Sequence, residues 1–313
     1  MKILSIIGAR PQFVKAAVFR KYCYENQINE ILLHTGQHYD LEMSTGIFKD
    51  LNVCMPNISY SLKSRSHSGM TGELLVFIEE QILKIKPDFV NVYGDTNSTL
   101  AGALAASKLH VPILHIEAGL RSFNKKMPEE VNRVLTDHMS DYLFCPTLQA
   151  VKNLANENIQ NNVHHVGDIM LDATQIFEDK FELPANLKLN NSKKIALMTV
   201  HRQENLKDKN TLLSIINYCE KLCDEYQIIF PVHPNTKNKL KEFSINTGRL
   251  MCVKPMKYIE MQALLKKSSL VLTDSGGLQK EAYFHGSRCI TLRKETEWVE
   301  PASYTHLRAH ETL

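Results

Sequence analysis

An α/β protein with two Rossmann-like lobes is what this chain predicts. Short apolar runs alternate with helix-patterned stretches along most of its 313 residues. The alternation loosens most in the polar stretch 181–194. Two of the apolar runs end in an acid, Asp95 and Glu117, where a buried strand end has no packing use for one. Such alternation means a mostly parallel sheet with helices on both faces. A chain of 313 residues suits two domains better than one.

The first strand is expected at 3–7, Ile-Leu-Ser-Ile-Ile. The run lacks the length and cleavage site of a secretion signal. Gly8-Ala9-Arg10-Pro11 then reads as a strand-to-helix turn, with proline near the first helical turn. Further strands are expected at 31–35, 89–93, 112–116 and 142–145, with helices at 13–24, 72–84, 99–109 and 129–139. A second round begins after 163–167, with strands at 195–200, 227–232, 251–253, 270–273 and 289–292 and helices at 212–225, 259–267 and 278–284. The break between rounds falls within 165–192, giving expected lobes of 1–170 and 171–300. Two such lobes facing each other would enclose a deep cleft. Residues 301–313 form an atypical tail without apolar periodicity.

Apolar content of 43% and charged content of 23% are ordinary for a soluble globular protein. A net charge of +3 is too small to argue for nucleic acid or a membrane surface as partner. No stretch is long enough to span a bilayer. The seven cysteines form no Cys-x-x-Cys pair, and Cys219 and Cys223, one helical turn apart, read as core packing. That usage fits a reducing cytoplasm.

In a parallel α/β sheet the carboxyl ends of neighbouring strands line one crevice, where ligands bind. Asp95 and Glu117 delivered there together are a candidate acid/base pair. The plain alternative for either is a helix N-cap. Gly8-Ala9-Arg10-Pro11 could hold phosphate on amides at a helix start, with Arg10 as a forked cation and Lys15 as a point charge one turn on. Thr273-Asp274-Ser275-Gly276-Gly277 offers a second cradle, paired glycines letting backbone approach an oxyanion. Neither turn matches the dinucleotide or Walker fingerprints. One cradle per lobe suggests a diphosphate. His201 and His233 follow consecutive strands of the second round, which points modestly to ligand contact. His115, two residues before Glu117, is expected to share a face with it. No histidine pair has zinc spacing, and no motif asks for a metal or cofactor.

These segments together resemble the non-hydrolysing UDP-N-acetylglucosamine 2-epimerase family. The matching segments are Gly8-Ala9-Arg10-Pro11-Gln12, Thr35-Gly36-Gln37-His38, Tyr93-Gly94-Asp95-Thr96-Asn97-Ser98-Thr99 and His115-Ile116-Glu117-Ala118-Gly119-Leu120-Arg121. Pro128-Glu129-Glu130-Val131-Asn132-Arg133, Val166-Gly167-Asp168, Thr199-Val200-His201-Arg202-Gln203-Glu204-Asn205, Pro231-Val232-His233-Pro234-Asn235 and Thr273-Asp274-Ser275-Gly276-Gly277-Leu278-Gln279 continue them in family order. The resemblance implies the two-lobe B-type glycosyltransferase architecture and a homodimer. It also implies a UDP-sugar substrate bearing an acetamido group at C2. Loss of UDP puts oxocarbenium character on C1 and acidifies the C2 hydrogen. A carboxylate removes that hydrogen, giving a glycal. Protonation at the other face and return of UDP invert C2, so two acid/base groups and a cradle for leaving negative charge are needed.

By resemblance, Asp95, Glu117 and Glu129 match the family's catalytic acids, and Lys15 and His201 its catalytic cations. Asp95 and Glu117 are expected to carry the proton transfers, with Glu129 orienting the sugar or sharing that work. Arg10, His233, Ser275, Gly276, Gly277, Glu281 and Arg293 match substrate and UDP positions; the plain reading of Glu281 is a solvated helix charge. Glu130 is read as a solvated neighbour of Glu129, and Asn132 and Arg133 as braces of the helix start. Two departures stand out. Residues 295–300, Glu-Thr-Glu-Trp-Val-Glu, with Gly-Ala-Arg-Pro-Gln-Phe at 8–13, resemble the branch acting on UDP-2,3-diacetamido-2,3-dideoxyglucuronate. The tail matches nothing expected at that point, so a shortened second lobe ending in foreign sequence is expected. A UDP-sugar glycosyltransferase, a hydrolysing epimerase and a non-catalytic UDP-sugar binder are the competing readings; the first needs an acceptor groove and no paired carboxylates.

Overall fold

A computed structural model describes residues 1–37, 41–64, 66–292 and 306–308. The chain divides into two compact units, Met1–Glu178 and Asp179–Leu313. The first runs β1 (Lys2–Ile7), α1 (Arg10–Glu25), β2 (Asn29–His34), α2 (Leu41–Asp50), β3 (Ile58–Ser59), α3 (His67–Ile85), β4 (Phe89–Tyr93), α4 (Asn97–Lys108), β5 (Ile113–Ile116), α5 (Pro128–Met139), β6 (Tyr142–Cys145), α6 (Leu148–Asn156), β7 (Val163–His165) and α7 (Ile169–Ile176). Its strands make one parallel sheet in the order β3-β2-β1-β4-β5-β6-β7. The order reverses between β1 and β4, so the loops after them part at that point and leave a crevice. Arg10 opens the helix after β1, and the turns after β4 and β5 carry Asp95 and Glu117.

Burial on both faces explains the unbroken apolar runs of the central strands. Leu4, Ile6, Val90 and Val92 are fully buried, each contributing about 1.5–3 kcal/mol. α4 packs between α3 and α5. Its small residues let it lie close to the sheet: a Cβ on Gly102 would stand 2.8 Å from Ile6 Cδ1.

The second unit runs β8 (Lys194–Thr199), α8 (Gln203–Lys207), α9 (Lys209–Lys221), β9 (Tyr226–Pro231), α10 (Pro234–Glu242), β10 (Met251–Val253), α11 (Tyr258–Lys267), β11 (Leu270–Thr273), α12 (Gly276–Phe284), β12 (Arg288–Thr291) and β13 (His306–Arg308). Its parallel sheet has the order β10-β9-β8-β11-β12-β13, reversing between β8 and β11. His201 follows one of those strands and Asp274 the other. Both units are therefore Rossmann-like, as the B-type glycosyltransferase fold requires.

Helices α2, α6, α7, α8 and α10 lie outside the expected set; all are ten residues or shorter. Over such a length three or four apolar positions do not define a period. β13 lies in the tail expected to lack periodic structure. Its backbone pairs in parallel with β12 from His306 to Arg308, and backbone pairing needs no side-chain alternation.

Candidate active site

The turn between β4 and α4 is where the first unit concentrates its polar bonds. Gln12, in the first turn of α1, reaches across to it: its Nε2 donates to the Tyr93 carbonyl at 2.5 Å and to Thr99 Oγ1 at 3.0 Å. Thr99 Oγ1 also donates to the Tyr93 carbonyl at 2.6 Å. The Gly94 amide donates to the Ile116 carbonyl at 2.9 Å, and the Gly94 carbonyl meets His115 Nε2 at 2.8 Å. Asn132 Nδ2 donates to the Asp95 carbonyl at 3.0 Å. Successive backbone groups leading to Asp95 are thus tied to four different segments. Such a turn holds its side chain to a narrow range of positions, as proton transfer demands.

Asp95 and Glu117 stand at the ends of the paired strands β4 and β5. Each carboxylate has its own cation: Arg133 for Asp95 and Lys15 for Glu117. Lys15 and Glu117 are nearly buried, with side chains 7% and 12% exposed. Removing one partner from such a pair costs about 3–5 kcal/mol, because the other is left charged and dry. Burial lifts the Asp95 carboxyl above the usual carboxylate range; Arg133 pulls it down, neighbouring Glu117 pushes it up and Lys15 pulls it down. A carboxyl so poised can exchange a proton nearer neutrality.

Glu117 adopts φ +72°, a left-handed conformation that costs a non-glycine residue about 1–3 kcal/mol. Its amide and that of Ala118 both donate to the Phe144 carbonyl at 3.1 Å, which holds it there. A Cβ on Gly94, itself at φ +60°, would stand 3.1 Å from Glu117 Oε2. The two acidic turns therefore meet at a glycine.

The structure corrects several sequence readings. The Gly8 and Ala9 amides are not open to phosphate: both donate to Gln12 Oε1, at 2.7 and 3.0 Å. Gly8 is instead required by packing, since a Cβ there would stand 2.0 Å from Ser98 Oγ. Arg10 remains exposed at the start of α1. His115 is fully buried, its ring held between Asp137 and the Gly94 carbonyl.

Glu130 is not solvated. It is 3% exposed and accepts from the Ser122 and Phe123 amides, the Ser122 hydroxyl and Arg133. Burial would raise its carboxyl, but those donors hold it below the usual range. Glu129, by contrast, is exposed in the first turn of α5 and makes no bond to the described residues. Asn132 and Arg133, read as braces of the helix start, instead grip Asp95. α5 gave a sequence signal for this: charged Glu130, Arg133 and Asp137 recur at helical spacing on its buried face, while Val131 and Leu135 face outward. A helix whose buried face is charged has something polar to hold.

In the second unit, Asp274 is fully buried at the end of β11. It accepts from the His201 amide at 3.0 Å, the Arg202 amide at 2.9 Å and Asn205 Nδ2 at 3.0 Å, and its Oδ1 lies 3.4 Å from His201 Nδ1. One carboxylate thus shapes the loop after β8 and faces the imidazole of half-exposed His201. His233, the N-cap of α10, accepts from the Asn235 amide, and its ring centroid lies 6.3 Å from that of His201. Ser275 caps α12 by accepting from the Leu278 amide at 3.4 Å, so its O–H is still able to donate. A Cβ on Gly277 would come no nearer than 4.0 Å to Ser275 Oγ, so this glycine leaves space rather than avoiding a clash. Glu281 lies in α12, partly buried and close enough to act on the Tyr258 hydroxyl. Arg293 and residues 294–300 lie outside the described residues. Among the described residues no cluster of His, Cys, Asp or Glu is placed to hold a metal, and no helix is long and apolar enough to cross a membrane.

Residues 21–308 match the family model of UDP-N-acetylglucosamine 2-epimerase. A Pseudomonas aeruginosa relative, UDP-2,3-diacetamido-2,3-dideoxy-D-glucuronate 2-epimerase, is 48% identical over 305 residues, covering 96% of this chain and 85% of its own. A UDP-N-acetylglucosamine 2-epimerase of Methanocaldococcus jannaschii is 42% identical, over 96% of this chain and 86% of its own. The crystal structure of the Methanocaldococcus jannaschii UDP-GlcNAc 2-epimerase with UDP-GlcNAc and UDP superposes with TM-score 0.86, at 40% identity over 98% of this chain and 88% of that one. The Neisseria meningitidis enzyme bound to UDP-GlcNAc gives 0.88, at 29% identity over 97% and 85%. Two Rossmann-like units, the paired strand-end acids and similarity along nearly the whole chain give one conclusion: this chain belongs to the UDP-N-acetylglucosamine 2-epimerase family.

Proposed function

We propose that the chain is a non-hydrolysing UDP-N-acetylglucosamine 2-epimerase, an isomerase that inverts C2 by losing and regaining UDP. The observation that carries this reading is the pair Asp95 and Glu117 on adjacent strand ends, each matched to a separate cation. Proton removal at one face of C2 and delivery at the other needs two carboxyl groups whose charges are tuned independently. Lys15 lies against Glu117 and Arg133 against Asp95, and burial raises the Asp95 carboxyl, so the two acids are not equivalent. Glu129, exposed one turn before Arg133, orients the sugar or shares the proton transfers. In the second unit His201, oriented by Asp274, supplies a donor to the departing diphosphate. Ser275, Gly276, Gly277 and Arg10 meet phosphate; His233, Glu281 and Arg293 complete the UDP contacts. No redox step occurs, so the reaction needs no cofactor.

A second substrate reading is favoured by one observation. The relative at 48% identity bears the name UDP-2,3-diacetamido-2,3-dideoxy-D-glucuronate 2-epimerase. Incubating the chain with each UDP-sugar in deuterium oxide and following the products by NMR tests both. Deuterium at C2 with the UDP bond intact is expected for the true substrate. Free N-acetylmannosamine would mean hydrolysis, and UDP release only with an added acceptor would mean glycosyl transfer; either outcome sinks the proposal.

A homodimer and residence in the cytoplasm complete the reading. Val131 and Leu135 are 43% and 47% exposed on α5, and Val76 and Leu83 are 57% and 58% exposed on α3. Both helices flank α4, so these four exposed apolar side chains belong to one helix layer. Sedimentation at micromolar concentration is expected to give twice the chain mass, and Val131→Asp with Leu135→Asp to give the monomer.

A further inference from the structure

We infer that His115 is a buried imidazolium, protonated on both nitrogens, whose task is to position the Gly94–Asp95 peptide for the proposed proton transfers; the functional half of the inference rests on the epimerase reading. His115 is fully buried. Its Nδ1 lies 2.7 Å from Asp137 Oδ1 and its Nε2 2.8 Å from the Gly94 carbonyl oxygen. A carbonyl oxygen only accepts, and so does an ionised carboxylate. Asp137 is ionised. Arg121, charged at any accessible pH, contacts it and favours the ionised form whatever the state of His115. It accepts from Arg121 at 2.6 Å and from the Gly119 amide at 3.1 Å as well. With an acceptor at each end, a neutral ring would aim a lone pair at one of them inside the core. Two N–H donors satisfy both.

The surroundings balance that charge. Asp137 is shared with Arg121, which forks onto Glu157 at 2.7 and 2.8 Å, and Glu157 also meets His138 at 3.1 Å. These are the charged groups of the chain that leads from His115 to the surface. The ring lies beneath Gly94, whose amide is fixed by the Ile116 carbonyl. One strand, β5, therefore grips the β4 turn from both sides, by a backbone carbonyl and by this imidazolium. Without the second grip the Gly94–Asp95 peptide can rotate, moving the Asp95 carboxyl relative to Glu117.

Two measurements test the inference. Nitrogen-15 NMR of the histidine rings in the native chain at neutral pH, with His115 assigned from the spectrum of His115→Gln, should show both of its nitrogens protonated. Resonance of either nitrogen at the unprotonated position overturns the assignment, whatever the activity. His115→Gln keeps a donor but cannot span both acceptors. Its kcat is expected to fall by roughly a hundredfold, as for a misplaced catalytic group, with KM for the UDP-sugar changed by less than about threefold. Unchanged kcat in the folded variant overturns the positioning role. If His115→Gln does not fold, assignment passes to His115→Asn, and the ring spectrum of the native chain alone decides. Should the native chain show no epimerase activity, the functional proposal fails while the spectrum still judges the imidazolium.

Discussion

Arg133→Met removes the guanidinium that joins Asp95 to Glu130 while keeping an unbranched side chain. Burial already lifts the Asp95 carboxyl, and Arg133 is the strongest influence against it. A unit charge in contact is worth about 4 kcal/mol at an effective dielectric near 20. The Asp95 side chain is 28% exposed, so water replaces part of the lost interaction, leaving about 2 kcal/mol. That is about a thirtyfold fall in ionised Asp95 on the acid side of its titration. A carboxyl whose folded pKa lies above its unfolded one makes the folded chain bind more protons. Its contribution is favourable at low pH and is lost as pH rises through the folded value. Arg133→Met moves that folded value upward, so the acid limb of kcat/KM shifts to higher pH and the variant's Tm falls more steeply with pH across the same window. Arg133→Lys restores charge but cannot fork onto both carboxylates, so its limb falls between the two. Deuterium incorporation at C2, followed against pH, reads the limb directly. A folded Arg133→Met whose acid limb coincides with the parent's refutes the reasoning.

Other expectations follow from packing and bonding. Gly8→Ala places a methyl 2.0 Å from Ser98 Oγ and 2.5 Å from Thr35 Oγ1, so denaturant midpoints should show a loss of about 1–3 kcal/mol; adding Ser98→Ala should recover part of it. Asp274→Asn loses acceptor capacity for three N–H groups and should cost about 1–3 kcal/mol, with weaker UDP binding by calorimetry; binding equal to the parent's would contradict the loop-shaping role. Cys54 and Cys252 are exposed, and the other five cysteines are buried. Burial pushes Cys23, Cys145, Cys219 and Cys289 up to about 12, so a thiol reagent should modify two groups quickly and the rest only on unfolding.

Much of the candidate site was legible because it lies at strand ends. An acid closing an apolar run is conspicuous, and Asp95 and Glu117 could be placed on one sheet edge from that alone. The cysteines at 219 and 223 were also readable, since helical spacing among apolar neighbours means core packing; both are buried in the second unit. Arg133, Glu130, Asp274 and the true role of Gln12 were harder to see. Their partners lie 38, 8, 73 and 81 residues away, and no local pattern links such pairs.

The sequence by itself determined the α/β class, the parallel sheets, the two rounds of alternation and the family, because periodicity and ordered motifs are properties of the chain alone. Only the tertiary structure decided which amides were already spent, as at Gly8 and Ala9, and which cation serves which carboxylate. It also decided that His115 belongs to the buried scaffold under the turn. Those outcomes depend on distances between segments remote in sequence, and a hydrogen bond or ion pair exists only where folding brings both partners within about 3 Å.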